Sequence, residues 1–136
     1  RDITLEVVWL QLHLVFECIW NYRFLYRDII NILSRNRSLR LKFARILKRG
    51  SQNAHSIMKG LNQTGVMRAS AAEIEGLSTN ILVLATFWLN YANITGEKDE
   101  QKSIKQGIVQ VMMLVSPFLK DTERLHLHTL SAAYLD

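Results

Sequence analysis

Proline occurs once in the 136 residues, at Pro117, and the six glycines are scattered. Proline removes a backbone donor and glycine is conformationally loose, so these two residues are the usual interrupters of helices. A chain this poor in both has little to stop long helices from forming. β-Branched residues are dispersed, and no stretch sustains the alternation of apolar and polar side chains that a half-buried strand needs. The sequence therefore predicts an all-α domain. About half of its residues are apolar (49%), and one domain of this length can bury most of the surface its unfolded chain exposes.

Apolar spacing divides the chain into a bundle of five longer helices plus a short connecting helix. The first runs from about Ile3 to Arg27, with Leu5, Trp9, Leu12, Phe16, Ile19 or Trp20, and Phe24 on one face and Glu6, His13 and Glu17 on the other. Asp28 is placed to cap a short segment, Ile29 to Ser34, and Asn36 or Ser38 to start the second long helix. That helix, Leu39 to about Leu61, carries the stripe Leu39, Phe43, Ile46, Gly50, Ala54, Ile57 and Leu61, with a bend expected at Gly50. Asn62 to Ser70, with Gly65, reads as the first real break. The third helix spans about Ala71 to Ile94, has Glu73 and Glu75 near its start, and ends at Thr95-Gly96. The fourth covers about Asp99 to Val115. Ser116-Pro117 reads as N-cap and first turn of the fifth, which uses Phe118, Thr122, Leu125, Leu130, Ala133 and Tyr134 and ends near Leu135. No internal repeat or low-complexity segment interrupts this series.

Charge is unevenly spread. Residues 21 to 60 hold ten Lys or Arg against the single acid Asp28, whereas residues 69 to 136 hold eight acids against five bases. Arg35, Arg37, Arg40, Lys42, Arg45, Lys48 and Arg49 make the second long helix cationic. Phosphate neutralisation by such a face would be steeply salt-dependent. No aromatics alternate with the bases, however, so a solvated face, or one lying near DNA or a neighbouring domain, fits better than a base-stacking platform. Single Cys18, among Phe16, Ile19 and Trp20, permits no internal disulfide and reads as a small core hydrophobe in a cytoplasmic protein.

Neither apolar stretch reads as a membrane span. Ile3 to Tyr22 contains Glu6, His13 and Glu17, and in Gly76 to Gly96 Asn80, Asn90 and Asn93 flank a short apolar centre. The amino-terminal stretch carries Glu6 and does not read as a signal peptide. Catalytic patterns (HExxH, P-loop, GxGxxG, GxSxG) are missing. His126 and His128 point to different sides of a helix, and His13 and His55 lack partners at metal-ligand spacing. The expectation is a non-enzyme with no metal and no cofactor.

Aromatic and methionine side chains supply the candidate site. Trp9, Phe16, Trp20, Phe24, Met58, Phe87, Trp88, Tyr91, Met112 and Met113 come from four helices, and many must form the core. The third and fourth helices are apolar on more than one face, which calls for a second burial surface. Self-association as a C2 pair, two helices from each copy, meets that need.

Four passages in this order and spacing carry a family resemblance: FECIWNYRFLYRD at 16–28, SRN before a basic helix at 34–49, FWLNY at 87–91, and the apolar fourth helix ending at Ser116-Pro117. Together they resemble the carboxy-terminal half of TetR-type bacterial transcriptional repressors, in the subgroup with a YRFLYRDL-like signature. Ile29 stands where that signature usually has Leu. The resemblance covers essentially the whole chain, 1–136, as one effector-binding and dimerisation domain. It implies a homodimer, an internal pocket for a small, at least partly apolar effector, and DNA binding only through an amino-terminal helix-turn-helix domain that this chain lacks. By that analogy Phe16, Trp20, Phe24, Met58, Phe87, Trp88, Tyr91 and Met112 are the pocket candidates. His13, His55 and Asn80 are expected as polar handles, and Arg23, Arg27 and Asp28 as a charge cluster fixing the first corner. The competing readings are a helical protein-interaction module without a pocket and a nucleic-acid binder acting through the basic helix.

Overall fold

The computed structural model describes residues 3–135. Five long helices and two short ones account for most of it, and no strand occurs among the described residues. Helix α1, Leu5–Asn21, starts where the Thr4 hydroxyl accepts from Val7 N–H (3.3 Å). It stops earlier than its apolar spacing predicts: the Tyr22 N–H bonds back to Cys18 and Ile19 carbonyls, and the chain turns into α2, Arg23–Arg27. The phase is reset at that turn, so Phe24 is 64% exposed instead of continuing the buried face of Leu5, Trp9, Phe16 and Ile19. Asp28 separates α2 from α3, Ile29–Arg35, without capping it; its carboxylate accepts from the Asn31 amide instead (3.0 Å). Two short helices thus stand where one was expected.

Asn36 caps α4, Arg37–Gln63, accepting from Leu39 N–H at 2.9 Å. This helix runs unbroken through Gly50, where the glycine has a different purpose. A Cβ there would lie 2.9 Å from Leu82 of the neighbouring helix, so its absence lets the two backbones approach. Leu47, half-buried, takes the core-facing place that the spacing gave to Ile46, which is 59% exposed. Gly65, at φ 79°, turns the chain, and Asn62 clamps the loop by donating to Ala69 C=O (2.7 Å) and accepting from Ala69 N–H (3.0 Å).

Helix α5, Ala71–Ile94, has the predicted bounds because its ends are chemically marked. Ser70 and Glu73 form a reciprocal capping box (3.1 and 2.8 Å), and Gly96 at φ 90° follows its end. Asp99 caps α6, Glu100–Val115. Ser116–Phe118 is a separate 3-10 turn, not the start of the last helix, and Ser116 is the C-cap of α6, its N–H donating to Met112 C=O, rather than an N-cap. After it Leu119 pairs with Met67, through Arg68 N–H to Phe118 C=O (2.7 Å) and Lys120 N–H to Val66 C=O (3.2 Å). Arg124 of α7, Asp121–Leu135, donates to the carbonyls of Ser116, Pro117 and Leu119, fastening that turn. Along α7 the inward phase is Leu127 (fully buried), Leu130, Ser131 and Tyr134, leaving Leu125 69% exposed.

Helix α6 is the centre of the molecule, in contact with α1, α5 and α7. Ile104, Gly107, Ile108, Val109, Val111, Met112 and Val115 are all buried within one copy. Most of its apolar surface is thus satisfied inside one copy, with Met113 still 46% exposed, so less of it is left needing an outside partner. Helix α5 retains that need. Val83 (56% exposed), Phe87 (41%), Tyr91 (60%) and Ile94 (84%) form one stripe on its outer side. No described helix is long and apolar enough to cross a membrane.

Helices α1 and α7 are also joined by a hydrogen bond between His126 Nε2 and the Glu6 carboxylate. The histidine hydrogen bond is the main cause holding the Glu6 pKa below its ordinary 4.5. A depressed carboxylate stabilises the fold above its unfolded pKa and loses that contribution as pH falls through the folded value. Both groups are well exposed, so the effect is small, a few tenths of a kcal/mol. We expect Glu6→Gln to lower the melting temperature slightly at about pH 6, and the difference to vanish as pH falls through the lowered Glu6 pKa, where the protonated carboxyl, like the amide, carries no charge. A difference that persists unchanged in acid would show the pair to be inconsequential.

Candidate ligand-binding cavities

Two cavities flank α5. The first is a groove of about 490 Å³ between α3, α4 and α5. Ile29, Leu33, Phe43, Leu47, Leu82 and Phe87 make it apolar, and Lys48, Ser51, Thr79 and Thr86 add a few polar atoms at its sides. The Thr86 hydroxyl already donates to Leu82 C=O (2.6 Å), leaving its oxygen lone pairs as acceptors. An apolar lining with few polar groups, at this volume, is the usual form of a small-molecule site.

The second is a crevice of about 750 Å³ between the α1–α2 corner and the carboxy-terminal end of α5. Trp20, Leu89 and Ile94 are its apolar members, and Arg23, Arg27, Asn90, Asn93, Glu97 and Lys98 its polar ones. The expected cluster of Arg23, Arg27 and Asp28 is not formed. Arg23 instead lies 5.1 Å from the Trp20 ring centre and 4.8 Å from that of Phe24, and donates to Trp20 C=O (3.1 Å). Arg27 lies 5.2 Å from the Phe24 ring centre. The corner is held by cations on aromatic faces. Nearby, Tyr26 meets Phe43 edge-on, and burial pushes its phenol above the ordinary 10.0.

The structure distributes the sequence-derived candidates over several places. Phe16, Met58, Trp88 and Met112 are buried in the core. Trp20 lines the crevice and Phe87 the groove. Phe24 carries the two arginines on its ring, and Tyr91 stacks on Trp88 (5.6 Å between ring centres) while facing solvent. Of the expected polar handles, His13 meets the Tyr134 hydroxyl and Glu17, and His55 and Asn80 are exposed; none of the three lines either cavity. Cys18 is exposed rather than a core residue. Sequence spacing missed Leu33, Leu47, Leu82 and Asn90, whose apolar or amide side chains carry no distinguishing pattern.

The domain thus has a central buried helix, two cavities flanking α5 and an uncovered apolar face on that helix. Comparison with known proteins identifies the class. Residues 1–127 match the TetR family, bacterial transcriptional repressors, and the chain belongs to that family. A TetR-family transcriptional regulator from Marinobacter aquaeolei VT8 has a similar structure, with a TM-score of 0.88 and 26% sequence identity. The match covers 100% of this chain and 66% of that protein, so the chain spans just under two thirds of its length. Among curated proteins none matches.

Proposed function

We propose that residues 1–136 are the effector-binding and dimerisation domain of a TetR-family regulator, acting in the cytoplasm without catalysis of its own. The observation that carries the effector reading is the groove between α3, α4 and α5, whose apolar walls and few hydroxyls suit a small, partly apolar molecule. Of the residues the family analogy picks out, Trp20 lines the crevice and Phe87 the groove, while Phe24 and Tyr91 line neither. Two copies pair through the outer side of α5, and DNA is contacted by a separate helix-turn-helix domain of the longer protein. Effector binding controls DNA binding only if the effector prefers one of two dimer geometries; equal affinity for both would shift nothing. The groove lies on the same helix as the proposed dimer face, and Val83 and Phe87 belong to both. That shared helix is how occupancy would reach the subunit contact.

Native mass spectrometry of the purified chain, under gentle and denaturing conditions, gives the oligomeric state and any co-purified molecule. Titration with the neutral apolar fluorophore N-phenylnaphthylamine then tests the groove. Ala44→Trp fills it from an exposed lining position and is expected to weaken uptake about tenfold or more, the scale of losing 1.4 kcal/mol of contact. Uptake that survives Ala44→Trp would place the effector elsewhere. A monomer that takes up no probe would favour the protein-interaction module.

A further inference from the structure

The crevice beside α2 differs in chemistry from the groove, and its cations meet no carboxylate among the described residues. Among the described residues, no carboxylate lies within 4.0 Å of the charged nitrogens of Arg23, Arg27 or Lys98. Glu97, the one acid lining the crevice, accepts from the Asp99 N–H (3.2 Å). Three cations against one acid leave a net charge of +2 around the cavity. The carboxy-terminal end of α5 also points here, and its dipole contributes roughly half a negative charge. That end is too weak to account for the cations, and none of them donates to an α5 carbonyl: the single backbone acceptor is Trp20 C=O, taken by Arg23.

The guanidinium groups are held in place before any ligand arrives. Arg23 lies between the Trp20 and Phe24 rings and Arg27 lies over Phe24. Each keeps free N–H donors in the planar fork that matches carboxylate and phosphate oxygens. Trp20, Leu89 and Ile94 give an apolar wall for the rest of the molecule.

We propose that this crevice binds a small organic anion, with its carboxylate or phosphate on Arg23, Arg27 and Lys98 and its apolar body against Trp20. The site is separate from the groove and stands or falls independently of it.

Calorimetric titration in a phosphate-free buffer tests the assignment with three probes that share a phenyl ring: mandelate, phenyl phosphate and neutral phenylethanediol. At least one anion is expected to bind about tenfold or more tightly than the diol, and the tighter of the two anions tells carboxylate from phosphate. The double variant Arg23→Gln, Arg27→Gln should reduce that anion to the affinity of the diol. Lys98→Gln, at an exposed position that leaves the fold intact, should lower it by a smaller factor. Anions that bind no better than the diol, or that keep their affinity in both variants, would overturn the proposal.

Discussion

Gly107→Val is expected to lower the melting temperature by about 10 °C, corresponding to roughly 3–4 kcal/mol at this chain length. A Cβ built at Gly107 lies 2.7 Å from Phe16 Cε1 and 2.9 Å from both Phe16 Cδ1 and Trp88 Nε1. Neither ring has anywhere to go. Phe16 is 2% exposed, and Trp88 is fixed by the hydrogen bond from its Nε1 to Ser103 C=O (2.9 Å). Overpacking of a filled core typically costs 1–3 kcal/mol, and displacing the indole orphans a buried donor at about 1–3 kcal/mol more. Alanine gains up to about 1 kcal/mol of helix propensity over glycine, so Gly107→Ala should be milder than valine yet still destabilising. The matched control is Gly76, also inside a long helix but with nothing within 4 Å of its added Cβ. Gly76→Ala should stabilise by up to about 1 kcal/mol. Thermal and urea unfolding followed by circular dichroism measure all three. A Gly107→Val protein that melts within about 2 °C of wild type would mean that α1, α5 and α6 do not meet as described.

The contrast between these two glycines shows what a sequence can and cannot reveal here. Both look alike in a helical pattern; only the tertiary crossing separates them. Helix α5 was legible to the residue because Ser70, Glu73, Thr95 and Gly96 carry their own local signals. The stop at Tyr22 was not, because no Pro or Gly marks it and the apolar spacing continues past it into Phe24. Ile46 and Leu47 are adjacent and equally apolar, and the packing against α5 alone decides which one turns inward. The site suffered most. Helical phase says that Phe16, Met58, Trp88 and Met112 are inward, but inward in a packed bundle means core unless a cavity happens to open beside them. The crevice requires the α1–α2 corner to meet the far end of α5, a contact between distant parts of the chain that no local pattern records. Arg23 and Arg27 were legible as a corner feature, but their partners are rings rather than Asp28.

Val83→Lys combined with Ile94→Lys is expected to convert the proposed dimer into a monomer with an intact fold. Both positions lie on the outer stripe of α5, 56% and 84% exposed, so lysine there costs the monomer almost nothing. In a C2 pair each substitution appears twice, placing four ammonium groups in or beside one apolar contact. Unpaired charges in such a contact cost several kcal/mol, and a loss of about 4 kcal/mol raises the dimer Kd roughly a thousandfold. Fluorescence-detected sedimentation at about ten nanomolar then separates the alternatives, since a Kd moved by that factor from about a nanomolar to about a micromolar empties the dimer at that concentration. Unchanged helicity alongside a halved mass supports α5 as the contact. A variant that stays dimeric moves the interface off α5, and the other uncovered apolar stripe, Val7, Leu10 and Leu14 on α1, becomes the surface to alter next. The distinction bears on mechanism. The groove shares α5 with the first interface but touches no residue of α1, so only a dimer made through α5 lets a molecule in the groove act directly on the subunit contact.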